Sequence, residues 1–220
     1  MAGGGVHLTF DNGPDPVVTP RVLDTLERHG VAATFFVVGK QLATTEGMDL
    51  ARAIVRRGHR LGNHSYSHGT PLGEDPGPEA VARELVATQA LLDQIWSGPR
   101  WFRPFGGGGK LGDHLLSPES VEWLVAGGFT CVLWDSVPGD WQDPSGWVER
   151  ALRDVSRCDP CVVVLHDVLP EAMERLDEFI SRASERGHHF TDALPESCLP
   201  IVNGEPRPGL EAHVRRPTKG

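Results

Sequence analysis

Two histidines four positions apart, His64 and His68, are the first residues of this 220-residue chain that suggest a reaction. On one helical turn, side chains at this spacing share a face, so the two imidazole rings could bind one divalent metal ion. The spacing is equally compatible with two solvated or capping histidines. The pair therefore predicts a metal site only if other reactive groups converge on it.

Other reactive side chains come directly after predicted β-strands. They are Asp11 and Asn12 after the first strand, Arg103 after the fourth, Asp140 beyond the fifth and His166 after the sixth, while the histidine pair follows the third. In a parallel barrel the loops after the strands meet at one rim, where active sites form. We therefore expect these segments to build one site. Taken singly, residues 8–14 could merely close a strand in a turn, and a histidine ending an apolar strand could be structural.

The strands and helices that position these groups are predicted from alternating short apolar runs and amphipathic segments. Strands are predicted at 6–10, 33–38, 60–62, 101–103, 130–134, 161–165 and 188–190, and helices at 18–29, 50–57, 79–96, 117–126, 145–155 and 171–186. This alternation indicates βαβ units and a parallel sheet, either closed as a barrel or open and doubly wound. A domain over residues 1–199 and an irregular tail over residues 200–220, rich in Pro and Gly, are expected.

Composition limits the classes of partner. The net charge of −9 argues against nucleic acid and anionic membranes, and no stretch approaches the roughly 18 apolar residues of a membrane span. Residues 1–10 lack the basic and apolar regions of a signal peptide, so we expect a cytoplasmic protein or a secreted one whose signal is absent from this chain. Cys158 and Cys161 have zinc-like or redox-like spacing, but no second pair accompanies them, and we expect ordinary thiols.

Taken in order, the reactive segments resemble the five motifs of the polysaccharide deacetylase family, also called the NodB-homology domain or carbohydrate esterase family 4. Residues 9–14 (TFDNGP) resemble its T-F-D-D-G-P motif, and residues 64–68 (HSYSH) match its histidine motif. Residues 102–106 (FRPFG), 139–141 (GDW) and 165–167 (LHD) resemble the other three. The resemblance covers about residues 6–195 and implies an α/β fold, a single-domain distorted (β/α) barrel.

The resemblance also implies a role for each matched residue. Asp11 would be the general base, Arg103 would hold its carboxylate in place, His166 would be the general acid, and Asp140 would orient His166. His64 and His68 would bind one divalent metal, zinc or else cobalt or nickel. The substrate pocket would be lined by Trp141, Leu165, Phe105 and Gly106. This set suits amide hydrolysis, which needs an activated water, a stabilised oxyanion and a proton for the leaving nitrogen.

Three positions depart from the family pattern. Asn12 replaces the family's third metal ligand, an aspartate, and a neutral oxygen binds zinc more weakly than a charged one. Asn12 could still ligate, the two histidines could hold the metal with water or another carboxylate, or metal and activity could be lost. We favour retained binding, because the base, the acid and both histidines are present. A Pro-Tyr pair becomes Phe105-Gly106 before three more glycines, which predicts a less preorganised loop, and Val137 replaces an earlier aspartate.

The leading functional hypothesis is a metal-dependent deacetylase acting on N-acetylated glycans or amino sugars, with no nucleic-acid or membrane partner and a monomer as the expected state. Three alternatives stay open: an O-acetyl esterase of the acetylxylan type, a hydrolase of non-peptide cyclic amides, and a weakly active or inactive sugar-binding member with reduced metal affinity caused by Asn12.

Overall fold

A curled sheet forms the centre of the computed structural model, which describes residues 4–216. Its strands are β1 (Gly5–Asp11), β2 (Thr34–Val37), β3 (Arg60–Asn63), β4 (Trp101–Phe102), β5 (Thr130–Cys131), β6 (Cys161–His166), β7 (His189–Phe190), β8 (Ile201–Val202) and β9 (Glu205–Pro206). The order β6-β1-β2-β3-β4-β5 is parallel throughout, and β7 pairs in parallel with the start of β1. The predicted α/β class with a parallel sheet is therefore confirmed.

The sheet curls until its two ends meet. Beyond β5 the chain reaches β6, where Ser136 and Val163 form an isolated parallel bridge. The Val164 amide donates to the Ser136 carbonyl at 2.9 Å, and the Ser136 amide donates to the Val162 carbonyl at 3.0 Å. This narrow contact closes a distorted barrel, so the barrel alternative is the one adopted rather than the open sheet.

Helices cover the outside of the sheet. They are α1 (Val18–His29), α2 (Gly39–Leu42), α3 (Thr45–Arg56), α4 (Pro78–Val81), α5 (Ala87–Leu92), α6 (Pro118–Ala126), α7 (Trp147–Val155), α8 (Pro170–Met173) and α9 (Leu176–Glu185). A π-helical turn, Ala82–Val86, joins α4 to α5. Within residues 4–216, no helix combines the length and the apolar character that crossing a membrane requires.

Several helices begin or end at residues other than those predicted. Helix α3 begins at Thr45 rather than near residue 50, because the Thr44 side chain accepts a hydrogen bond from the Gly47 amide at 3.0 Å. The predicted helix 171–186 is divided into α8 and α9, and the predicted helix 79–96 ends earlier, at Leu92. Ser117 caps helix α6, since its hydroxyl accepts from the Ser120 amide.

The alternation of side chains along each strand separates two hydrophobic layers. On β6, Val163 and Leu165 pack outward in a core shared with the helices, while Val162 and Val164 point to the barrel interior. All four are buried, which explains why the strand reads as a continuous apolar run. His166 follows Val162 and Val164 in this alternation, so its side chain also points to the barrel interior.

The expected irregular tail is instead folded over residues 200–216. Strand β8 pairs antiparallel with β5 through Ile201 and Cys131, and β9 pairs back on β8. The tail thus covers an edge of β5 that would otherwise carry unpaired backbone groups. Ile201 is fully buried in this position. Residues 1–3 and 217–220, which the sequence analysis assigns to the domain and to the tail, lie outside the described residues.

The expectation of ordinary thiols is wrong for two cysteines. Cys158 and Cys161 are joined in a disulfide, with their Cα atoms 5.0 Å apart across a turn of two residues. That separation lies within the range that a disulfide spans. Cys131 and Cys198 are free and buried, and burial raises the pKa of each thiol to about 12.

The amino-terminal end of the barrel contains a buried histidine, His7. Its Nδ1 donates to the Ala193 carbonyl at 3.3 Å, which leaves Nε2 to accept from the Thr34 hydroxyl at 2.9 Å. This pattern is that of the neutral ring, with its proton on Nδ1. Burial accordingly lowers the pKa of His7 to about 4.

Candidate active site

A cavity of about 290 Å³ opens at the carboxyl ends of the strands. Its walls include Asp11, Asn12, His64, His68, Phe105, Gly106, Gly109, Trp134, Val137, Trp141, Val164, His166 and Leu169. The separated segments that the sequence analysis selected therefore meet at one rim. The rim is the one where loops of parallel barrels carry their active sites.

Asp11 ends β1 with its carboxylate buried against a guanidinium. Arg103 Nη1 donates to Asp11 Oδ1 at 2.9 Å, and the arginine itself is fully buried. Burial alone would raise the pKa of Asp11, but the charge and hydrogen bond of Arg103, with a further contribution from His166, outweigh burial and lower the pKa. The carboxylate is therefore ionised at neutral pH and can accept a proton.

Arg103 is held on every side. Its Nε and Nη2 donate to the carbonyls of Val132 and Leu133, each at 3.2 Å, and Nη1 also donates to the Thr9 hydroxyl at 2.6 Å. The guanidinium lies 4.1 Å from the centre of the Phe36 ring. Because four hydrogen bonds fix the guanidinium, this buried cation holds the Asp11 carboxylate in a fixed orientation.

The two histidines do not lie on a helical turn as expected. They belong to a loop after β3, in which Ser65 and His68 adopt left-handed backbone angles, φ 65° and 53°. The loop nevertheless brings the two rings to a centroid distance of 5.0 Å. The shared face that the spacing predicts is thus produced by an irregular backbone.

His64 and His68 are both held as neutral rings. His64 Nδ1 donates to the Arg103 carbonyl at 2.9 Å, so its Nε2 carries a lone pair, 3.6 Å from Asp11 Oδ2. Burial lowers the pKa of both histidines, that of His68 to about 3. A metal-ligating histidine characteristically donates its second ring N–H to a carbonyl or carboxylate, as His64 does here.

Asn12 lines the same cavity as the two histidines. Its backbone is left-handed, with φ 80°, and its side-chain Oδ1 is buried without a hydrogen-bond partner among the described residues. A buried carbonyl oxygen without a partner is costly unless a further group satisfies it. Two neutral imidazoles and this oxygen form a donor set that fits a divalent metal such as zinc.

His166 and Asp140 form the opposite side of the cavity. His166 Nδ1 donates to Asp140 Oδ1 at 2.8 Å, and the His166 amide donates to Asp140 Oδ2 at 2.9 Å. Burial would lower the pKa of His166, but the bond and charge of Asp140, followed by the field of Asp11, outweigh it and raise the pKa. His166 Nε2 is therefore placed to carry a proton towards the cavity.

Asp11 and His166 lie side by side on the sheet. Asp11 and His166 are partners in the register between β1 and β6, so the spacing of neighbouring strands sets their separation. The Trp141 ring meets His166 edge-on at a centroid distance of 5.1 Å and is 37% exposed. An exposed aromatic ring beside the cavity suits contact with a sugar.

The expected pocket position of Leu165 is wrong. Leu165 is fully buried in the outer core, because side chains alternate along β6 and His166 takes the cavity face. Val164 on β6 and Leu169 beyond it line the cavity instead. The other expected pocket residues, Phe105, Gly106 and Trp141, do lie in its wall.

The glycine-rich loop after Phe105 is better held than expected. Trp134 Nε1 donates to the Gly109 carbonyl at 2.9 Å, and the His114 ring contacts the Gly106 carbonyl at 3.3 Å. A Cβ added at Gly106 would lie 2.5 Å from the Trp134 ring, so close packing explains that glycine. Val137 packs against Gly109 where the family pattern has an aspartate, while the Asp135 carboxylate accepts from the Val162 amide.

Asp167 supports the site from behind and was assigned no role from sequence. Its Oδ2 accepts from the Thr19 hydroxyl at 2.5 Å, and a Cβ added at Gly13 would lie 2.3 Å from the same oxygen. Burial raises the pKa of Asp167 to about 7. This packing of Asp167 against Gly13 fixes the turn that follows Asn12. In the sequence, the only sign of a role for Asp167 is its position next to His166.

Comparison with known protein families gives one matching model. The model described as polysaccharide deacetylase matches residues 2–114. This range contains Asp11, the histidine pair and the buried Arg103.

Individual proteins agree with that match. A chitooligosaccharide deacetylase of Bradyrhizobium is 33% identical over 174 residues, which cover 77% of this chain and 74% of that protein. The peptidoglycan-N-acetylglucosamine deacetylase PgdA of Listeria monocytogenes is 30% identical over 186 residues, 84% of this chain. The matched region spans 37% of that protein's length.

A solved structure with the same fold is that of a BA3943 mutant, described as a carbohydrate esterase family 4 pseudoenzyme with restored enzymatic activity. It superposes with a TM-score of 0.72 at 25% identity, over 86% of this chain and 65% of that one. The architecture is therefore the NodB-type (β/α) barrel that the resemblance implies.

Proposed function

Since this chain belongs to the polysaccharide deacetylase family, we propose that it is a metal-dependent hydrolase that removes acetyl groups from N-acetylated sugars. The observation that carries the proposal is the pairing, at one cavity, of a carboxylate whose pKa is lowered, Asp11, with an imidazole whose pKa is raised by Asp140, His166. General base and general acid are the two proton carriers that amide hydrolysis requires.

His64, His68 and the Asn12 Oδ1 are the groups that would hold a divalent metal, with zinc favoured by the nitrogen-rich donor set and cobalt or nickel as substitutes. Such an ion lowers the pKa of water and polarises a carbonyl oxygen.

The protein's own groups account for the proton transfers. Asp11 takes a proton from the attacking water, and Arg103 keeps the carboxylate ionised and oriented while it does so. The water oxygen bonds to the acetyl carbon. The C–N bond then breaks as His166 Nε2 gives its proton to the departing amine nitrogen, with Asp140 stabilising the charged ring. The products are acetate and a free amino sugar.

The substrate is proposed from the shape and lining of the cavity. Val164 and Leu169 give it an apolar wall that suits an acetyl methyl group, and the exposed Trp141 ring offers a face for a pyranose. Relatives named as chitooligosaccharide and peptidoglycan deacetylases support an N-acetylglucosamine unit as the reacting sugar. The acidic chain suits a neutral glycan better than a polyanion.

A second candidate, a weakly active or inactive sugar-binding member, is favoured by one observation. The neutral oxygen of Asn12 stands where the family has a charged ligand, which weakens the hold on a metal. A pseudoenzyme with the same fold is known, which supports an inactive member as the second candidate.

Acetate release tests the proposal. Purified protein loaded with Zn²⁺ or Co²⁺ is incubated with N-acetylchitooligosaccharides, with peptidoglycan and with acetylated xylan, and acetate is measured before and after chelation. We expect chelator-sensitive release from the N-acetylated substrates. Asp11→Asn and His166→Ala should abolish it while leaving the circular dichroism spectrum unchanged.

The outcomes separate the candidates. Release from xylan alone would indicate an O-acetyl esterase, and binding of oligosaccharide without any release would indicate the sugar-binding member. Full activity in either variant would rule out the proposed proton transfers.

A further inference from the structure

The backbone between His64 and His68 needs support from outside the loop. Ser65 and His68 have left-handed backbone angles, which side chains other than glycine adopt at a cost. Within the loop, the His68 amide donates to the Ser65 hydroxyl at 3.2 Å. This single internal bond leaves the amides of Tyr66 and Ser67 to find partners elsewhere.

Glu84 supplies those partners from a neighbouring helix. Its Oε2 accepts from the Tyr66 amide at 3.0 Å and from the Ser67 amide at 2.8 Å, and its Oε1 accepts from the Ser67 hydroxyl at 2.8 Å. The side chain is only 6% exposed. One buried carboxylate thus binds consecutive backbone amides of the loop, in the way an anion occupies a backbone nest.

The charge state of Glu84 fits this role. Burial would raise its pKa, but the bonds from Ser67, together with those from Arg83 and Tyr66, outweigh burial and lower the pKa. The group is therefore an ionised acceptor at neutral pH, and hydrogen bonds to a charged acceptor are the stronger kind.

The helix presents Glu84 at an irregular point. Glu84 lies in the π-helical turn Ala82–Val86, and such turns are frequent at functional sites. In the same turn the Leu85 carbonyl accepts from Asn63 Nδ2 at 3.1 Å, while Asn63 Oδ1 accepts from the Ser65 amide at 3.0 Å. The π turn therefore contacts the histidine loop at both its start and its middle.

We propose that Glu84 is a positioning residue that holds the loop 65–67 so that His64 and His68 face one cavity as a preformed pair of metal ligands. The inference rests on the proposed function, because it assumes that the two histidines bind a metal. Glu84 is not among the residues that line the cavity, and it binds the loop through the amides of Tyr66 and Ser67, so it acts through the backbone. Residues that support ligands in this way typically change metal affinity by about 10- to 100-fold when removed.

The test is metal affinity measured without substrate. Dissociation constants for Zn²⁺ and Co²⁺ are obtained with the full chain by competition with a chromophoric chelator, and the Co²⁺ visible spectrum reports the geometry of the bound ion. Glu84→Ala should weaken binding by about 10- to 100-fold and alter the Co²⁺ spectrum. Glu84→Gln should remain within about threefold of the unchanged protein, because its carbonyl oxygen can still accept from both amides.

Two controls separate positioning from general stability. Glu79→Ala removes an exposed glutamate from the same helical segment and should leave affinity unchanged. Ser67→Ala removes one of the three bonds and should weaken binding by less than Glu84→Ala, which keeps the test usable if Glu84→Ala does not fold.

The results distinguish this inference from the proposed function. Metal binding by the unchanged protein, with equal affinity in Glu84→Ala and Ser67→Ala, would overturn the role of Glu84 alone. A lower melting temperature in Glu84→Ala with unchanged affinity and spectrum would do the same. Failure of the unchanged protein to bind either ion would overturn the proposed metal-dependent function itself.

Discussion

Replacing Asp140 by asparagine tests the proton donor most directly. Asp140 accepts from both the ring and the amide of His166, and the single carbonyl oxygen of asparagine can accept only one of these bonds. If that oxygen keeps the amide, the asparagine NH₂ faces Nδ1 and requires it to be an acceptor. The ring is then neutral, with its proton on Nε2, and is a much weaker acid than the imidazolium.

The expected loss follows from the lost bond. A hydrogen bond to a charged group contributes about 1.5–3 kcal/mol, which corresponds to a fall in kcat of about 10- to 160-fold. The pH dependence supplies a second sign. Asp140 raises the pKa of His166, and the general acid must be protonated, so its replacement should move the alkaline limb of the kcat profile to lower pH.

The assay is acetate release from an N-acetylchitooligosaccharide between pH 5 and 9, with saturating metal and substrate. Asp143→Asn is the matched control, because Asp143 lies on the same loop but is only half-buried and pairs with Arg150 instead of His166. It should leave both kcat and the profile unchanged. An Asp140→Asn protein with an unmoved alkaline limb and full kcat would refute the assignment of His166 as the acid.

The remaining predictions concern the metal, acid stability and the core. Asn12→Asp should tighten Zn²⁺ binding by at least about tenfold in calorimetry, and should lower the melting temperature of the metal-free protein because two carboxylates then lie side by side; weaker binding would exclude a ligand role for this position. The pKa of His7 is about 4 in the folded state against 6.5 in the unfolded state, so its contribution to the unfolding free energy is present above pH 6.5 and lost as pH falls to 4. Urea melts at pH 7 and pH 4 should show that His7→Gln removes up to about 3 kcal/mol of this acid destabilisation. An equal loss of unfolding free energy between the two pH values in both proteins would contradict this. Leu165→Ala should cost about 2–5 kcal/mol of unfolding free energy in denaturant melts with KM unchanged, and a raised KM would return this residue to the pocket wall.

Sequence pattern is sufficient for the frame of this molecule. The apolar run 161–165 and the runs before Asp11 and His64 mark strands, since buried parallel strands need such residues on both faces. Because parallel strands end at one rim, the sequence alone predicts that the reactive residues that follow them lie close together. Those predictions depend only on local periodicity and on one rule of topology.

Predictions that depend on tertiary contact were the ones that needed the structure. Leu165 lies one residue from the acid, yet strand alternation turns it away from the cavity. The tail folds because β5 has a free edge that Ile201 can pair with, and no pattern within residues 200–220 reports that edge. Glu84 had one available signal, a carboxylate on the buried side of a helix beside Leu85 and Thr88, but its partners are 17 and 18 residues away.

The shared register of Asp11 and His166 means that their protonation equilibria cannot be separated. Each group contributes to the shift of the other, since the anion favours the cation and the cation favours the anion. The two limbs of a bell-shaped rate profile would then report macroscopic constants of the couple rather than one residue each. The pH optimum of the proposed reaction would therefore depend on the pairing of β1 with β6, because this pairing sets the distance between the two groups.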